Sequence, residues 1–423
     1  MMKERYGFAC STQSIRALDY YVEAVDILLS AQAGALEKLQ LAIVEDRNFA
    51  LAHITLAGTY QMMSRTFDAE ASLNTGLALA NQTSEWEQSH IRVATLIFNS
   101  STAVAHQGAL DHLKKYPRDA LIANSICGAF GLIGFSGRAG REQENLRFME
   151  SLTRHYGDDW WFNSQFAFAI CEAGDPFRAQ PIIELALAAN PNNADAIHNS
   201  AHIHYESGES RTGLAALERW RTSYDRGGIL YGHIAWHCAL WHLEFGEFDR
   251  AMEIFDKDIN PDINLSPPIN TVTDCIGFLL RAEIAGARIT TEQWQSASDL
   301  GRLYFPEPGL SFVDAHLSIA YARTSQPARL STYLSQHNGV CSDKVTAIAR
   351  AAKAYSNCHW ARVVDSLSPI MSDHERLGGS RAQRDFIEVL LANSLVNLHR
   401  REDAIDGISA RRHRVNGSIF GLT

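Results

Sequence analysis

Histidines are concentrated in one short stretch of the chain. Six of the 17 histidines fall between residues 198 and 242. Within this stretch His198 and His202 are four residues apart, and His233 and His237 repeat the same spacing. Because residues four apart project from the same face of a helix, each pair can direct two imidazole rings at one point. The spacing therefore predicts two histidine pairs side by side on neighbouring helices.

Carboxylates recur at corresponding places in the same part of the chain. Glu206 follows His202 by four residues, and Glu244 lies about two helical turns beyond His237. Asp274 is in the next helical segment, NTVTDCIGFLL. Asp314 and His316 are in the segment after that, SFVDAHLSIA. We therefore expect residues 194–320 to form a functional segment whose side chains share one cavity.

Two groups of site residues follow from this pattern. The candidates for chemistry are the four paired histidines with one carboxylate and one further imidazole: His198, His202, His233, His237, Asp274 and His316. The candidates for ligand binding are Glu206, Trp236, Glu244, Asp314 and Arg384.

Imidazole at this spacing is compatible with three kinds of chemistry. His198, His202, His233 and His237 could hold one divalent metal ion, which needs three or four ligands at about 2.0–2.3 Å. Neutral and charged imidazoles could instead act as a general base and acid, or hydrogen-bond an anionic ligand. A HExxH motif, which would indicate a zinc protease, is absent. The competing interpretation is that these histidines are hydrogen-bonded core residues.

Composition is typical of a soluble globular protein and narrows the class of partner. The chain has 423 residues, 46% of them hydrophobic and 20% charged, and a formal net charge of -10. Its densest basic run is short, Arg411 to Arg414, so nucleic acid is not an expected partner. Seven cysteines lie singly without CxxC spacing, which argues against disulfides and zinc knuckles. No signal sequence or membrane span is expected, and we predict a cytoplasmic protein.

Helix-turn-helix units of about 34–42 residues repeat along the chain. The clearest copy runs from Asn163, with Gly174 between its helices and Pro191 at its end. Two later copies place Gly208 and Gly246 at the same point, where a helix end favours the left-handed conformation. The pattern predicts an all-α, tetratricopeptide-like superhelix of about seven or eight helical hairpins. Residues 1–423 are expected to form a single continuous solenoid.

Several stretches resemble the tetratricopeptide repeat protein 38 family. They are AIHNSAHIHYESG (196–208), GHIAWHCALWHLEFGEFDRAMEIFD (232–256), FVDAH (312–316), GGSRAQRD (378–385) and, near the N-terminus, YGFACSTQS and YYVEAVDILLS. The resemblance covers nearly the whole length. It implies a solenoid of divergent repeats and brings no established reaction with it.

The motif GGSRAQRD is interpreted as the start of a helix. Ser380 followed three residues later by Gln383 is the spacing of a capping box. Anion binding by the Gly-Gly turn with help from Arg384 is the functional alternative. Arg384 and Asp385 are further expected to form either a buried ion pair or a contact at the edge of the groove.

Two hypotheses for function remain open. The first is a pocket lined by His, Asp and Glu on the concave face, which binds a small molecule and transforms it in a hydrolase- or lyase-type reaction. Its substrate would be an amide, ester or amine-bearing metabolite. The second is a non-enzymatic adaptor that binds a peptide or protein in the concave groove, the common use of this architecture. Fold alone does not choose between them, and the oligomeric state is not indicated.

Overall fold

A computed structural model describes residues 2–335 and 339–410, which form 22 α-helices and no strand. The basic run at 411–414 lies outside the described residues. The helices are α1 (Ile15–Leu29), α2 (Ala35–Glu45), α3 (Ala50–Met62), α4 (Thr66–Leu79), α5 (Glu85–Asn99), α6 (Thr102–Lys115), α7 (Ala120–Ile126), α8 (Arg141–Tyr156), α9 (Trp160–Glu172), α10 (Pro176–Ala189), α11 (Ala194–Ser207), α12 (Ser210–Arg221), α13 (Tyr231–Glu244), α14 (Phe248–Ile254), α15 (Pro268–Ala285), α16 (Thr291–Tyr304), α17 (Ser311–Arg323), α18 (Pro327–Ser335), α19 (Ser342–Ser356), α20 (Trp360–Leu367), α21 (Arg381–Asn397) and α22 (Arg401–Ser409).

Consecutive helices pack as hairpins, which confirms the predicted all-α, tetratricopeptide-like architecture. Gly208 and Gly246 follow α11 and α13 with φ of 75° each, as the left-handed end of a first helix requires. The pairs that pack in this way are α1/α2, α3/α4, α5/α6, α9/α10, α11/α12, α13/α14, α15/α16, α17/α18, α19/α20 and α21/α22. These pairs outnumber the seven or eight hairpins expected. Several second helices are short, such as α14 with 7 residues and α20 with 8, so their periodicity is hard to recognise.

First helices of successive hairpins stack side by side and form the inner layer. Contacts join α9 to α11, α13 to α15, and α15 to α17. In α13 every residue from Gly232 to Glu244 is buried. A helix that is buried on all sides must be covered on its inner face as well as by its hairpin partner.

The cover over this inner layer is the N-terminal half of α21. The Arg281 Nη2 atom on α15 donates a hydrogen bond to the Ala382 carbonyl at 2.7 Å. On α11, the Tyr205 hydroxyl donates to Asp385 at 2.8 Å. The Phe386 ring lies 4.4 Å from the His316 ring on α17. The predicted concave groove is therefore occupied along these helices by the chain's own α21.

A glycine-rich turn between α7 and α8 closes a second side of the interior. The rings of Phe130 and Phe135 stack on each other at 5.4 Å and contact the Phe312 ring at 5.7 and 6.4 Å. Farther along α11, the Ala194 amide that begins the helix donates to the Ser30 carbonyl at 2.9 Å, which joins α11 to the end of α1. Segments distant in the chain thus surround a cavity.

Within residues 2–335 and 339–410, no helix has both the length and the hydrophobicity that crossing a lipid bilayer requires.

Candidate metal and ligand site

The two predicted histidine pairs converge on one point. His198 and His202 project from α11, and His233 and His237 project from α13. One ring nitrogen from each lies within 4.8 Å of the corresponding nitrogens of the other three. We call these four residues the histidine quartet. Their convergence is the geometric relationship that the i, i+4 spacing predicted.

Inside the quartet the rings contact one another edge to face. The centroid distances are 4.6 Å for His198–His202, 4.7 Å for His202–His237 and 5.0 Å for His233–His237. The Nε2 atoms of His198 and His202 are 2.9 Å apart, so one of them donates a hydrogen bond to the other. Tetrahedral zinc with bonds of about 2.0–2.1 Å places its ligand nitrogens roughly 3.3 Å apart. Shifts of a few tenths of an ångström would bring this pair to that spacing.

His233 is oriented by a carboxylate on the next inner helix. Its Nδ1 atom lies 2.7 Å from Oδ2 of Asp274. A carboxylate accepts this hydrogen bond from Nδ1, which leaves Nε2 as the nitrogen of His233 that can face the quartet. A carboxylate behind a histidine is the usual support of a metal-binding imidazole. Asp274 therefore acts on the quartet through His233.

Gln383 connects this carboxylate to the start of α21. The Gln383 Oε1 atom accepts a hydrogen bond from the Ser380 amide at 3.1 Å, while the Ser380 hydroxyl accepts from the Gln383 amide. The capping box expected from GGSRAQRD is thus confirmed. The Gln383 Nε2 atom also donates to Oδ1 of Asp274 at 3.2 Å. One side chain therefore caps the covering helix and holds the carboxylate that orients His233.

Burial favours the neutral form of three members of the quartet. His202, His233 and His237 are buried, and Trp236 stacks on the His233 ring at 5.2 Å. Desolvation and the neighbouring imidazoles lower the pKa of His198, His202 and His237 well below the ordinary histidine value. Neutral imidazole is the form that binds metal ions.

Several ring nitrogens of the quartet have no hydrogen-bond partner among the described residues. They are both nitrogens of His237 and the Nδ1 atoms of His198 and His202. The Oε1 atom of Glu172 lies 3.8 Å from His202 Nδ1, which exceeds hydrogen-bond length. A buried polar atom without a partner costs about 1–3 kcal/mol of stability. A bound metal ion or ligand would remove this cost by pairing with these nitrogens.

A cavity of about 740 Å³ opens onto the quartet. His198, His202 and His233 line its wall, whereas His237 lies behind them. The covering elements contribute Phe130 of the glycine-rich turn and Gln383 of α21. This volume is within the usual range for small-molecule sites, about 300–1,000 Å³.

Asp195, which the sequence reasoning missed, is a prominent polar residue of this cavity. Its Oδ2 atom accepts hydrogen bonds from Ser164 Oγ at 2.7 Å, Gln165 Nε2 at 2.8 Å and Asn199 Nδ2 at 3.0 Å. Burial raises the pKa of Asp195 to about 6. The spacing held a usable signal, because Asp195 precedes His198 by three residues and extends the same helical stripe by one turn.

Of two further predicted residues, Trp236 contacts the quartet and His316 does not. Trp236 lies between the His233 ring and Arg281, whose Cζ is 5.4 Å from the indole. His316 does not join the quartet. Its Nδ1 atom lies 2.8 Å from the Phe312 carbonyl, and its ring packs between Phe312 and Phe386. Desolvation lowers the pKa of His316 to about 3.

Three predicted carboxylates lie elsewhere, each with its own local partner. Glu206 pairs with Arg381 Nε at 3.1 Å. Glu244 accepts hydrogen bonds from Ser210 Oγ at 2.9 and 3.0 Å. Asp314 accepts from the Gly309 amide at 2.9 Å at the start of its helix. They are on the expected helices, but their positions along or around the helix point them away from the quartet.

Arg384 also lies apart from the quartet, beside a second cavity of about 280 Å³. Its guanidinium pairs with Glu142 and donates to the Gly379 carbonyl. Asp385 accepts a hydrogen bond from Tyr205, and its expected pair with Arg384 stays a prediction.

Comparisons with known proteins add little beyond these observations. No family model matches the chain. The human IFIT1 dimer with m7Gppp-AAAA aligns at 12% identity and a TM-score of 0.43, covering 95% of this chain and 90% of that one. Yeast Tom70 aligns at 11% identity and 0.34, covering 96% and 94%. The P58(IPK) TPR domain aligns at 13% and 0.20, covering 94% and 99%. TM-scores this low give no information about ligands. A proposal for the function therefore depends on the geometry of the site.

Proposed function

We infer that the protein binds a divalent transition-metal ion through the histidine quartet and a small organic molecule in the adjoining cavity. The main support for this proposal is that four imidazole nitrogens lie within 4.8 Å of one another. A hydrolase or lyase role would require that three of the imidazoles hold the ion and leave its fourth position open to the cavity. Such an ion would supply a Lewis acid that polarises a ligand oxygen.

Ligand type favours zinc or a neighbouring first-row metal. Imidazole suits zinc, copper, iron and nickel, whereas magnesium and calcium prefer oxygen ligands. His233 offers Nε2 because Asp274 holds its other nitrogen. His237 has both nitrogens unpartnered, so a metal ion would satisfy a buried atom that the described residues leave unsatisfied.

The position of the quartet favours a ligand-binding role over a purely structural one. Three of its members line a cavity large enough for a metabolite, and α21 and the glycine-rich turn wall that cavity from other sides. A structural metal site is normally closed by protein on all sides, whereas a catalytic one keeps access to ligand. The cavity wall therefore supports a metal ion that acts on a bound molecule.

Metal content of the full chain tests the proposal. We expect the zinc-loaded, gel-filtered protein to retain one zinc per chain, and His202→Ala and His237→Ala to lose it. His204→Ala is the matched control, because His204 is a buried histidine on the same helix whose Nδ1 lies 3.3 Å from Glu209 instead. Zinc-free wild-type protein, or equal zinc loss in all three variants, would contradict the proposal.

The adaptor hypothesis uses the same fold and remains the alternative. It predicts a peptide or protein partner whose binding persists after zinc is removed and in His237→Ala. The metal proposal predicts that ligand binding in the cavity changes with the quartet. Membership of the tetratricopeptide repeat protein 38 family stays a prediction and does not decide between the two.

A further inference from the structure

The described lining of the 740 Å³ cavity contains an acidic side chain but no lysine or arginine. Among the described residues that line it, Asp195 is the only carboxylate, and none is lysine or arginine. The lining also includes the quartet members His198, His202 and His233. Asp195 is therefore the one carboxylate of the described lining, and no lysine or arginine of that lining can pair with it.

The hydrogen bonds of Asp195 leave one oxygen for a ligand. Its three side-chain donors, Ser164, Gln165 and Asn199, are neutral and all bind Oδ2. None of the hydrogen bonds among the described residues falls on Oδ1. A half-buried carboxylate held by neutral donors alone is stabilised further by a ligand that brings positive charge.

The other walls of the cavity also suit a cation. Phe130, Phe135 and Phe168 contribute aromatic surface to the lining. Aromatic faces attract ammonium groups and repel anions. Asn124 and Gln61 add amide oxygens that can accept hydrogen bonds from an N–H group.

We propose that the cavity binds a small molecule carrying a protonated amine, with the ammonium group on Asp195 Oδ1 and a second polar group toward the histidine quartet. This deepens the proposed function, on which it rests, by naming the ligand class. Asp195 and His198 are three residues apart on α11, a rise of about 4.5 Å. The amine and the second polar group should therefore lie no more than roughly 5 Å apart in the ligand. Amino amides and amino esters meet this requirement.

Three matched probes test the proposal by calorimetric titration of the full chain, zinc-loaded and metal-free. L-Phenylalaninamide carries the amine, 3-phenylpropanamide lacks it, and 3-phenylpropionate replaces the charge by a negative one. We expect the amine to bind the zinc-loaded protein at least tenfold more tightly than the other two. In Asp195→Asn this preference should fall below threefold, while the exposed control Asp158→Asn keeps it.

The outcomes separate this inference from the proposed function. Stoichiometric zinc together with equal affinity for the three probes, or no measurable binding of the amine, would overturn the ligand class alone. A tenfold preference that survives in Asp195→Asn would overturn the role of Asp195. If Asp195→Asn does not fold, the preference of the wild-type protein among the three probes still decides the ligand class. Absence of bound zinc would overturn the metal site.

Discussion

Nδ1 of His233 and Oδ2 of Asp274 are joined by a 2.7 Å hydrogen bond between neighbouring inner helices. The bond determines which nitrogen of His233 faces the quartet. It also connects the quartet to α21, because Asp274 receives its second hydrogen bond from Gln383. Metal affinity and the docking of α21 should therefore be coupled through one carboxylate.

Replacing this carboxylate should weaken metal binding without removing a ligand. In Asp274→Asn the amide can no longer hold the proton on His233 Nδ1 as strongly. We expect zinc affinity, measured by competition with a chelator, to fall about 10–100-fold. Asp262→Asn, an exposed acid in the connection before α15, should change it by less than twofold. Unchanged affinity in Asp274→Asn would show that the pair has no role in metal binding.

A second buried His–Asp arrangement should control stability far from the quartet. Asp119 Oδ2 lies 2.7 Å from His90 Nδ1 and 3.0 Å from His112 Nε2. Burial alone would raise the pKa of Asp119, but the two imidazoles hold it well below its usual range. Burial alone would lower the pKa of His90, but Asp119 raises it above the ordinary value.

The sign of the pH dependence follows from these two directions. Asp119 contributes fully to the free energy of unfolding above the ordinary aspartate pKa, and this contribution is lost as the pH falls through its lowered pKa in the folded chain. His90 contributes fully below the ordinary histidine pKa, and this contribution is lost as the pH rises through its raised pKa in the folded chain. Asp119→Asn should therefore lower the free energy of unfolding most between about pH 4 and 6.5, by roughly 3 kcal/mol.

Urea titrations at pH 5.5 and pH 8.5 measure this difference. The exposed Asp111→Asn, whose partner is Lys114, serves as the control and should leave the free energy of unfolding nearly unchanged at both pH values. A loss in Asp119→Asn that is larger at pH 8.5 than at pH 5.5 would contradict the assignment.

His316 should make the protein less stable in acid. Its pKa is lowered to about 3 in the folded chain, against an ordinary value of 6.5. Below pH 6.5 the unfolded chain takes up a proton that the folded chain excludes, so stability falls by about 1.4 kcal/mol per pH unit from this residue. We expect His316→Gln to lose less stability than the wild-type protein between pH 6 and pH 5. The exposed His359→Gln should lose as much as the wild type, and equal losses in all three would contradict the prediction.

The ion pair between Glu142 and Arg384 should hold α21 in place. The two side chains are 11% and 2% exposed, whereas the nearby pair of Glu144 and Arg138 is 29% and 46% exposed. Glu142→Gln leaves a buried guanidinium without its charge partner and should cost about 3–5 kcal/mol of unfolding free energy. Glu144→Gln, two residues along the same helix, should cost less than about 1 kcal/mol. Chemical denaturation of both variants gives the comparison, and similar losses would mean that the buried pair contributes little.

Local spacing was enough to predict the centre of the site, whereas long-range packing was not predictable. The i, i+4 spacing predicted the quartet because each pair lies on one face of its helix and both faces point into the same space. The role of Gln383 at Asp274 and the pairing of Arg384 with Glu142 depend on how α21 folds back over the inner layer. Gln383 and Asp274 are 109 positions apart in the sequence, and Arg384 and Glu142 are 242 positions apart. Local spacing cannot indicate contacts over such separations.

X-ray absorption at the zinc edge of the zinc-loaded full chain tests the central claim most directly. The quartet predicts three or four imidazole nitrogens at about 2.0–2.1 Å from the metal. In His237→Ala one of them should be lost or the metal released. A spectrum dominated by oxygen ligands, or one unchanged in His237→Ala, would place zinc elsewhere and leave the quartet as a packed histidine core.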